Sequence, residues 1–328
     1  MIMTYIGIDI SKDTFVAAYP SKNGYQTKTF KNNTEGISKF IHSIKDGEFH
    51  CVMEATGNYA FLLLYLLDRA SIRASLVNPK QIKHFSHMMM SVTKTDDKDA
   101  QLIAMYGEKM TPEPYKFPSE SIMLLKQKRT VIRQLKKQLR ATMNLQEAMA
   151  PLPSVDKSCQ QALKKTVTFL EKQIKSLESE LTSLAKKEFD KQVSALTSIK
   201  GIGVTLATAL IIATGGFSYF DNAKQISRFI GLCPTYQQSG TSVNIRGHIN
   251  RNGDSYLRSQ LYVASWSAIQ YNAACKECYE RLRQNGKPSK VALVAVANKL
   301  IRQAFAIVKS DSQEYVDGFV SSKPEMIA

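Results

Sequence analysis

The chain is poor in cysteine, with five in 328 residues. They are odd in number and widely scattered, which excludes a disulfide scaffold and suits a reducing, cytoplasmic setting. The one close pair, Cys275 and Cys278, has no second pair to complete a zinc site. It falls in a helical stretch, so both thiols are read as structural. Long apolar runs are also missing. No uninterrupted stretch is expected to span a bilayer, and the first residues open into a strand pattern rather than a basic-then-apolar leader. No membrane partner is therefore expected. Acids are scarce too: 28 Asp plus Glu stand against 44 Lys plus Arg, a formal charge of +16. That balance points to a polyanion as partner. Hydrophobic residues make up 44%, which excludes wholesale disorder, and the length allows two or three domains.

Residues 1–112 read as α/β. Strands are expected over Thr4–Ile10, Thr14–Tyr19 and Tyr25–Phe30, joined by the short polar turns 11–13 and 21–24. A helix capped by Thr34 follows, with Ile37, Phe40, Ile41 and Ile44 on one face. Then come a strand His50–Glu54, a helix Tyr59–Ala70, a strand Arg73–Val77 that stops at Asn78-Pro79, and a helix from about Thr95 to Met110. That order is the order of a ribonuclease-H-like fold. Prolines 112, 114 and 118 mark a linker.

Residues 113–190 read as linker and helices. Ile122, Leu125, Ile132, Leu135 and Leu139 trace one stripe, and Pro151-Leu152-Pro153 interrupts it. Val167, Leu170, Ile174, Leu177, Leu181 and Leu184 then keep three-four spacing, an a/d seam flanked by Lys and Glu. Two readings stand open: a helical hairpin within one chain, or a coiled coil that also joins two chains. Residues 191–328 form a third, mainly helical region. It opens on Ile199-Lys200-Gly201-Ile202-Gly203, a glycine turn of helix-hairpin-helix type. Amides at such a helix start hold phosphate, which makes Lys200, Gly201 and Gly203 candidate nucleic-acid contacts.

Four acids carry the chemistry. Asp9 and Glu54 each end an apolar strand, and Asp96 and Asp99 share a helix face three residues apart. A carboxylate at the end of a buried strand costs free energy unless a cation compensates it. Several brought together call for a divalent metal, and carboxylate-held magnesium is a common means of breaking a phosphodiester. The first and fourth strands of a ribonuclease-H-like sheet are neighbours, so Asp9 and Glu54 would face each other. For Asp96 and Asp99 a plainer reading is also open, that they serve as first-turn acids of a well-capped helix. Asp13 and Asp97 are spare acids. In the third region Ser239-Gly240 precedes a basic stretch with Arg246, His248 and Arg251, then Arg258. A serine among arginines suits attack on phosphate; an ordinary turn in a phosphate-binding loop fits the same residues.

The motifs Gly7-Ile8-Asp9-Ile10-Ser11-Lys12, Met53-Glu54-Ala55-Thr56-Gly57, Lys94-Thr95-Asp96 through Asp99-Ala100, Gly231-Leu232-Cys233-Pro234, Ser239-Gly240 and His248 through Gly253 occur in this order along nearly the whole length. Together they resemble the DEDD transposase family of bacterial insertion sequences. Asn250-Arg251 departs from the Ser-Lys frequent in that family. The resemblance implies a RuvC-like N-terminal domain holding Mg2+, or Mn2+ in its place, with Asp9, Glu54, Asp96 and Asp99. It implies Ser239 as nucleophile, forming a covalent phosphoserine link to DNA. It also implies donor and target duplex DNA and a noncoding guide RNA as partners, and homodimers that pair into tetramers. Two rivals remain at this point: a hydrolytic RuvC-type nuclease or junction resolvase, which needs neither Ser239 nor the last 200 or so residues, and a non-enzymatic DNA-binding protein, which has no use for inward-facing acids.

Overall fold

The computed structural model describes residues 3–22, 24–45, 47–55, 57–90, 95–234, 249, 253–310 and 315, together with the backbone of 237–239 and 243–245. The chain divides into two compact units, residues 1–117 and 118–328.

The first unit is a five-stranded mixed sheet. Its strands are β1 Thr4–Ile10, β2 Thr14–Ser21, β3 Gly24–Lys31, β4 Phe49–Glu54 and β5 Arg73–Val77, in the spatial order β3-β2-β1-β4-β5. β2 runs antiparallel to both neighbours, whereas β1, β4 and β5 run parallel. The central strands read apolar along their length because both faces are covered. Helices α1 (Thr34–Ser43) and α2 (Phe61–Arg69, entered through a 3-10 turn Gly57–Ala60) share one core with Ile6, Ile8, Phe15 and Met53. Helices α3 (Pro79–Met88) and α4 (Asp96–Met110) share a second with Val52 and Val77.

Three local expectations are corrected here. The cap of α1 is Asn33, not Thr34: the Asn33 side chain accepts the Gly36 amide at 2.9 Å. Asn78-Pro79 does not only stop β5. Asn78 accepts the Lys80 amide at 2.9 Å and Pro79 occupies the first helical turn, so the pair starts α3, a helix the pattern reading missed. The proline-rich stretch expected to be a linker is bound to the edge of β5, where the Tyr115 amide donates to the Ala74 carbonyl at 2.7 Å and Ser75 Oγ to the Glu113 carbonyl at 2.6 Å. An edge strand offers unpaired backbone groups, and this segment takes them.

The second unit contains α5 (Glu120–Met149), α6 (Lys157–Ser198, kinked at Phe189), α7 (Val204–Thr214), α8 (Ala223–Ile230), α9 (Ser255–Tyr271), α10 (Ala273–Gln284) and α11 (Ser289–Lys309). A two-stranded hairpin, β6 Gln237–Ser239 with β7 Val243–Ile245, interrupts the helices. α5 and α6 pack as an antiparallel hairpin in one chain, laced by Lys128–Glu180 and Lys136–Glu178 at 2.6 Å each. Leu170 and Ile174 of the seam are buried, while Phe169, Met143 and Leu145 are exposed. α11 is long and apolar enough to cross a membrane by length and composition, although Asn298, Lys299 and Arg302 interrupt its apolar run. Its Leu293, Val296, Leu300, Ile301 and Ile307 are instead wholly buried in the core of this unit.

Candidate active site

β1 and β4 are paired in parallel with Ile8 opposite Met53. Both of those side chains enter the α1/α2 core. Side chains alternate along a strand, so Gly7, Asp9, Val52 and Glu54 belong to the opposite face, the one covered by α4. Asp9 and Glu54 thus lie side by side at the carboxyl ends of neighbouring parallel strands. Asp96 is the first residue of α4 and Asp99 lies in its first turn, behind Thr95, whose hydroxyl accepts the Lys98 amide at 3.3 Å. The four acids therefore come from three separate elements.

Gly7 brings α4 to them. A Cβ built on Gly7 would run into the Ala100 carbonyl oxygen and the Ala104 amide nitrogen, and would lie 2.8 Å from Ala104 Cα. Ala100 and Ala104 pack with Val16 and Ala18 in a small cluster on this face. One turn on, a Cβ on Gly107 would lie 2.9 Å from Tyr5 and Val52 side-chain atoms. The helix lies backbone to backbone on β1, and that contact sets Asp96 and Asp99 beside Asp9. No single-strand pattern announces this role, because it depends on what crosses the strand. Gly7→Ala is expected to push α4 away by more than small adjustments absorb, costing about 1–3 kcal/mol and lowering any activity of the acid cluster by at least tenfold. Thermal unfolding and an activity assay on the same preparation check it. Unchanged activity would show that α4 placement does not matter.

The electrostatics record the convergence. Asp9 is raised from the ordinary 3.8 to about 6. Burial is the largest cause, followed by the charges of Asp99, Asp96 and Glu54 in turn, and a hydrogen bond from the Ile10 backbone pulls the other way. All three predicted partners thus act on Asp9. Among the described residues, however, no three His, Cys, Asp or Glu close around one point as a ligand cage. The acids share a field without a formed coordination sphere. As a donor set, carboxylates whose repulsion lifts one of their own suit a hard divalent cation such as Mg2+.

The second set of candidates divides. Ser239 is the last residue of β6, its backbone paired with Val243; its side chain, and Arg246, His248 and Arg251, lie outside the described residues. Arg258 is used inside the fold, donating through Nη1 to the Ile230 carbonyl at 2.9 Å at the end of α8. In the glycine turn, Gly201 has φ +106 and sits tightly against Ala268, so its lack of a side chain is required there. Lys200 is exposed, and its carbonyl accepts from Asn272 Nδ2 at 3.4 Å. Gly203 is the cap residue of α7, with no side-chain hydrogen bond to that helix start. Cys275 is buried at the start of α10 and Cys278 is half-buried.

Comparison with known proteins adds the following. A family profile described as transposase matches residues 6–150, and one described as transposase of the IS116/IS110/IS902 family matches residues 193–280. A pilin gene-inverting protein of Moraxella bovis is 31% identical over 95% of this chain and 97% of its own length. An insertion element IS110 protein of Streptomyces coelicolor is 28% identical over 45% of this chain and 36% of its own. Among solved structures, T. thermophilus RuvC in complex with a Holliday junction substrate aligns over 35% of this chain and all of its own, at 13% identity and a TM-score of 0.26.

Proposed function

Because the chain belongs to the IS116/IS110/IS902 transposase family, enzymes that rearrange DNA, we propose that it cuts and rejoins DNA through two cooperating groups, an acid cluster in the first unit and Ser239 in the second. The observation that carries this reading is the placement of Asp9 beside Glu54 at adjacent strand ends and near the first turn of α4, where burial and then the charges of Asp99, Asp96 and Glu54 raise its proton affinity. A strand end with no catalytic use has no reason to gather four acids on a chain with a formal charge of +16. Asp9, Glu54, Asp96 and Asp99 would hold Mg2+ or Mn2+, and the bound cation supplies Lewis-acid stabilisation of charge on the phosphoryl oxygens. The strand order, with β2 antiparallel and Asp9 and Glu54 at adjacent strand ends, supports a RuvC-like arrangement of this unit.

In the proposed step Ser239 Oγ loses its proton and bonds to phosphorus. One ester oxygen leaves and takes up a proton. The phosphodiester is stored as a phosphoserine ester, and the hydroxyl of a new strand end reverses the exchange, so no external energy source is required. Donor and target duplexes are chosen in this reading by pairing with a noncoding guide RNA, the protein reading backbone and shape. The chain works in the bacterial cytoplasm in three functional parts, 1–112, 113–190 and 191–328. The test is strand transfer by the full chain. Activity should vanish in chelator and return with Mg2+ or Mn2+, while nucleic-acid binding persists in both. Recombination that continues in chelator would remove the acid cluster from the reaction.

The reading also includes homodimers that pair into tetramers through the α5–α6 hairpin. Support comes from Phe169, Met143 and Leu145, apolar yet exposed on the hairpin. Light scattering of the double variant Leu145→Glu, Phe169→Glu should then show monomers. A dimer of undiminished stability would place the contact elsewhere.

A further inference from the structure

α5 carries two sets of cations with different surroundings. Lys128 and Lys136 face α6 and are matched by Glu180 and Glu178 at 2.6 Å. Lys126, Arg129 and Arg133 are spaced three and four apart, so they share another face. There, among the described residues, they meet a single carboxylate. Arg129 Nη2 binds Asp254 Oδ2 at 2.8 Å, and its side chain is only 12% exposed. Both guanidiniums lie over one ring, Arg129 at 5.2 Å and Arg133 at 5.3 Å from the centre of Tyr256. Lys126 Nζ lies 5.7 Å from the centre of the Tyr219 ring. Asp254 is already committed, since its Oδ1 caps α9 by accepting the Tyr256 and Leu257 amides at 3.0 and 3.2 Å.

Three cations against one carboxylate leave two positive charges unmatched, Lys126 half-buried and Arg133 exposed. Burial, and then the charge of Arg129, lower the proton affinity of Lys126. Uncompensated charge held away from water is costly, and an anion is the natural remedy. Aromatic rings set beneath guanidiniums fix the forks that bind phosphate oxygens in pairs. Arg129 is the anchor, tied to Asp254. Arg133, which is exposed, and Lys126 have no carboxylate of their own among the described residues. In the sequence, Asp254 stands three residues after Arg251.

We infer that Lys126, Arg129 and Arg133, arranged around Tyr256, form a seat for a backbone phosphate of a bound nucleic acid. The inference rests on the reading of the chain as a nucleic-acid enzyme and adds a site to it. Binding of the full chain to a duplex DNA oligonucleotide and, separately, to an RNA hairpin should be measured across salt concentrations. The double variant Lys126→Gln, Arg133→Gln is expected to bind on the order of tenfold more weakly and to lower the slope of log affinity against log salt by about 1, the share of one phosphate. A loss on DNA alone, on RNA alone or on both assigns the phosphate to that source. The single variant Arg133→Gln, at an exposed position, should lower the slope in the same direction by part of that amount, and it serves as the test if the double variant fails to fold. Arg133→Lys should restore the slope, which a purely structural role of the stacked guanidinium would not give. The control Lys186→Gln, Lys187→Gln removes the same charge from an exposed part of α6. Slopes unchanged in the seat variants, or lowered equally in the control, overturn the site while leaving the enzyme reading intact. If the wild-type chain binds neither probe, both fall together.

Discussion

Asp9→Asn is expected to abolish strand transfer and, in the absence of metal, to make the protein more stable. The two effects have one cause. Asp9 has a folded pKa of about 6 against an ordinary 3.8, raised by burial and by Asp99, Asp96 and Glu54. The native state therefore binds a proton more tightly than the unfolded chain. Stability is fully kept below pH 4 or so and is lost as pH rises through about 6. At neutral pH the metal-free protein carries a penalty on the order of 1 kcal/mol, once the partial exposure of the group is allowed for. Asparagine removes the charge at nearly constant shape. Its melting temperature should exceed that of wild type by a few degrees at pH 7.5 in chelator and match it near pH 4. A bound divalent cation offsets the same repulsion, so Mg2+ should raise the wild-type melting temperature more than that of the variant. Activity should fall by on the order of a thousandfold or more, the equivalent of several kcal/mol of lost charge stabilisation. Calorimetry across pH with and without Mg2+, beside a recombination assay, checks both halves. An Asn variant that is less stable in chelator at pH 7.5 would mean that the four acids do not repel one another in the native state.

Half of that cluster was legible in the sequence. Asp9 and Glu54 stand at the ends of apolar runs, and the order of elements made their strands neighbours, as the Ile8–Met53 pairing bears out. Asp96 and Asp99 were legible as a pair but ambiguous in purpose, because first-turn acids behind Thr95 also complete a helix start. They stand in the first turn behind the Thr95 cap, and their charges also reach Asp9. Gly7 was visible as a letter but not as a cause. Its role comes from Ala100 and Ala104, almost a hundred positions away, pressing their backbone on it. α3 escaped because Asn-Pro ends a strand and starts a helix with the same two residues. The hairpin of β6 and β7 escaped because three-residue strands are too short for alternation to register. Arg258 stands after a basic stretch, which groups it with the nucleic-acid contacts, and in the fold its Nη1 also donates to the Ile230 carbonyl at the end of α8. Charge in a sequence gives no account of which donors the fold itself consumes.

Ser239→Ala is expected to leave nucleic-acid binding near wild type while no protein remains covalently joined to DNA. Binding survives because its contacts are spread over a chain with 44 basic side chains, and loss of one hydroxyl removes none of them. Chemistry does not survive, because alanine offers no oxygen to bond phosphorus. Ser239 closes β6 opposite Val243, so its backbone is held by a strand pair and not by a free loop. That restraint suits a nucleophile, whose advantage over water is its fixed position. Reactions on a trapped or nicked substrate, run on a denaturing gel, should give a slow, protease-sensitive DNA band with wild type and none with the variant. The carboxylate variant separates the groups further: Asp9→Asn should also lack the band, whereas wild type returned to Mg2+ after chelation should regain it. Ser242, three residues on, is the internal control, and Ser242→Ala should keep the band. A band that persists in Ser239→Ala, or wild-type cleavage that yields only free ends, would make water the nucleophile. The acid cluster alone would then carry the reaction, as it does in a hydrolytic nuclease, and the second unit would serve to hold and align DNA.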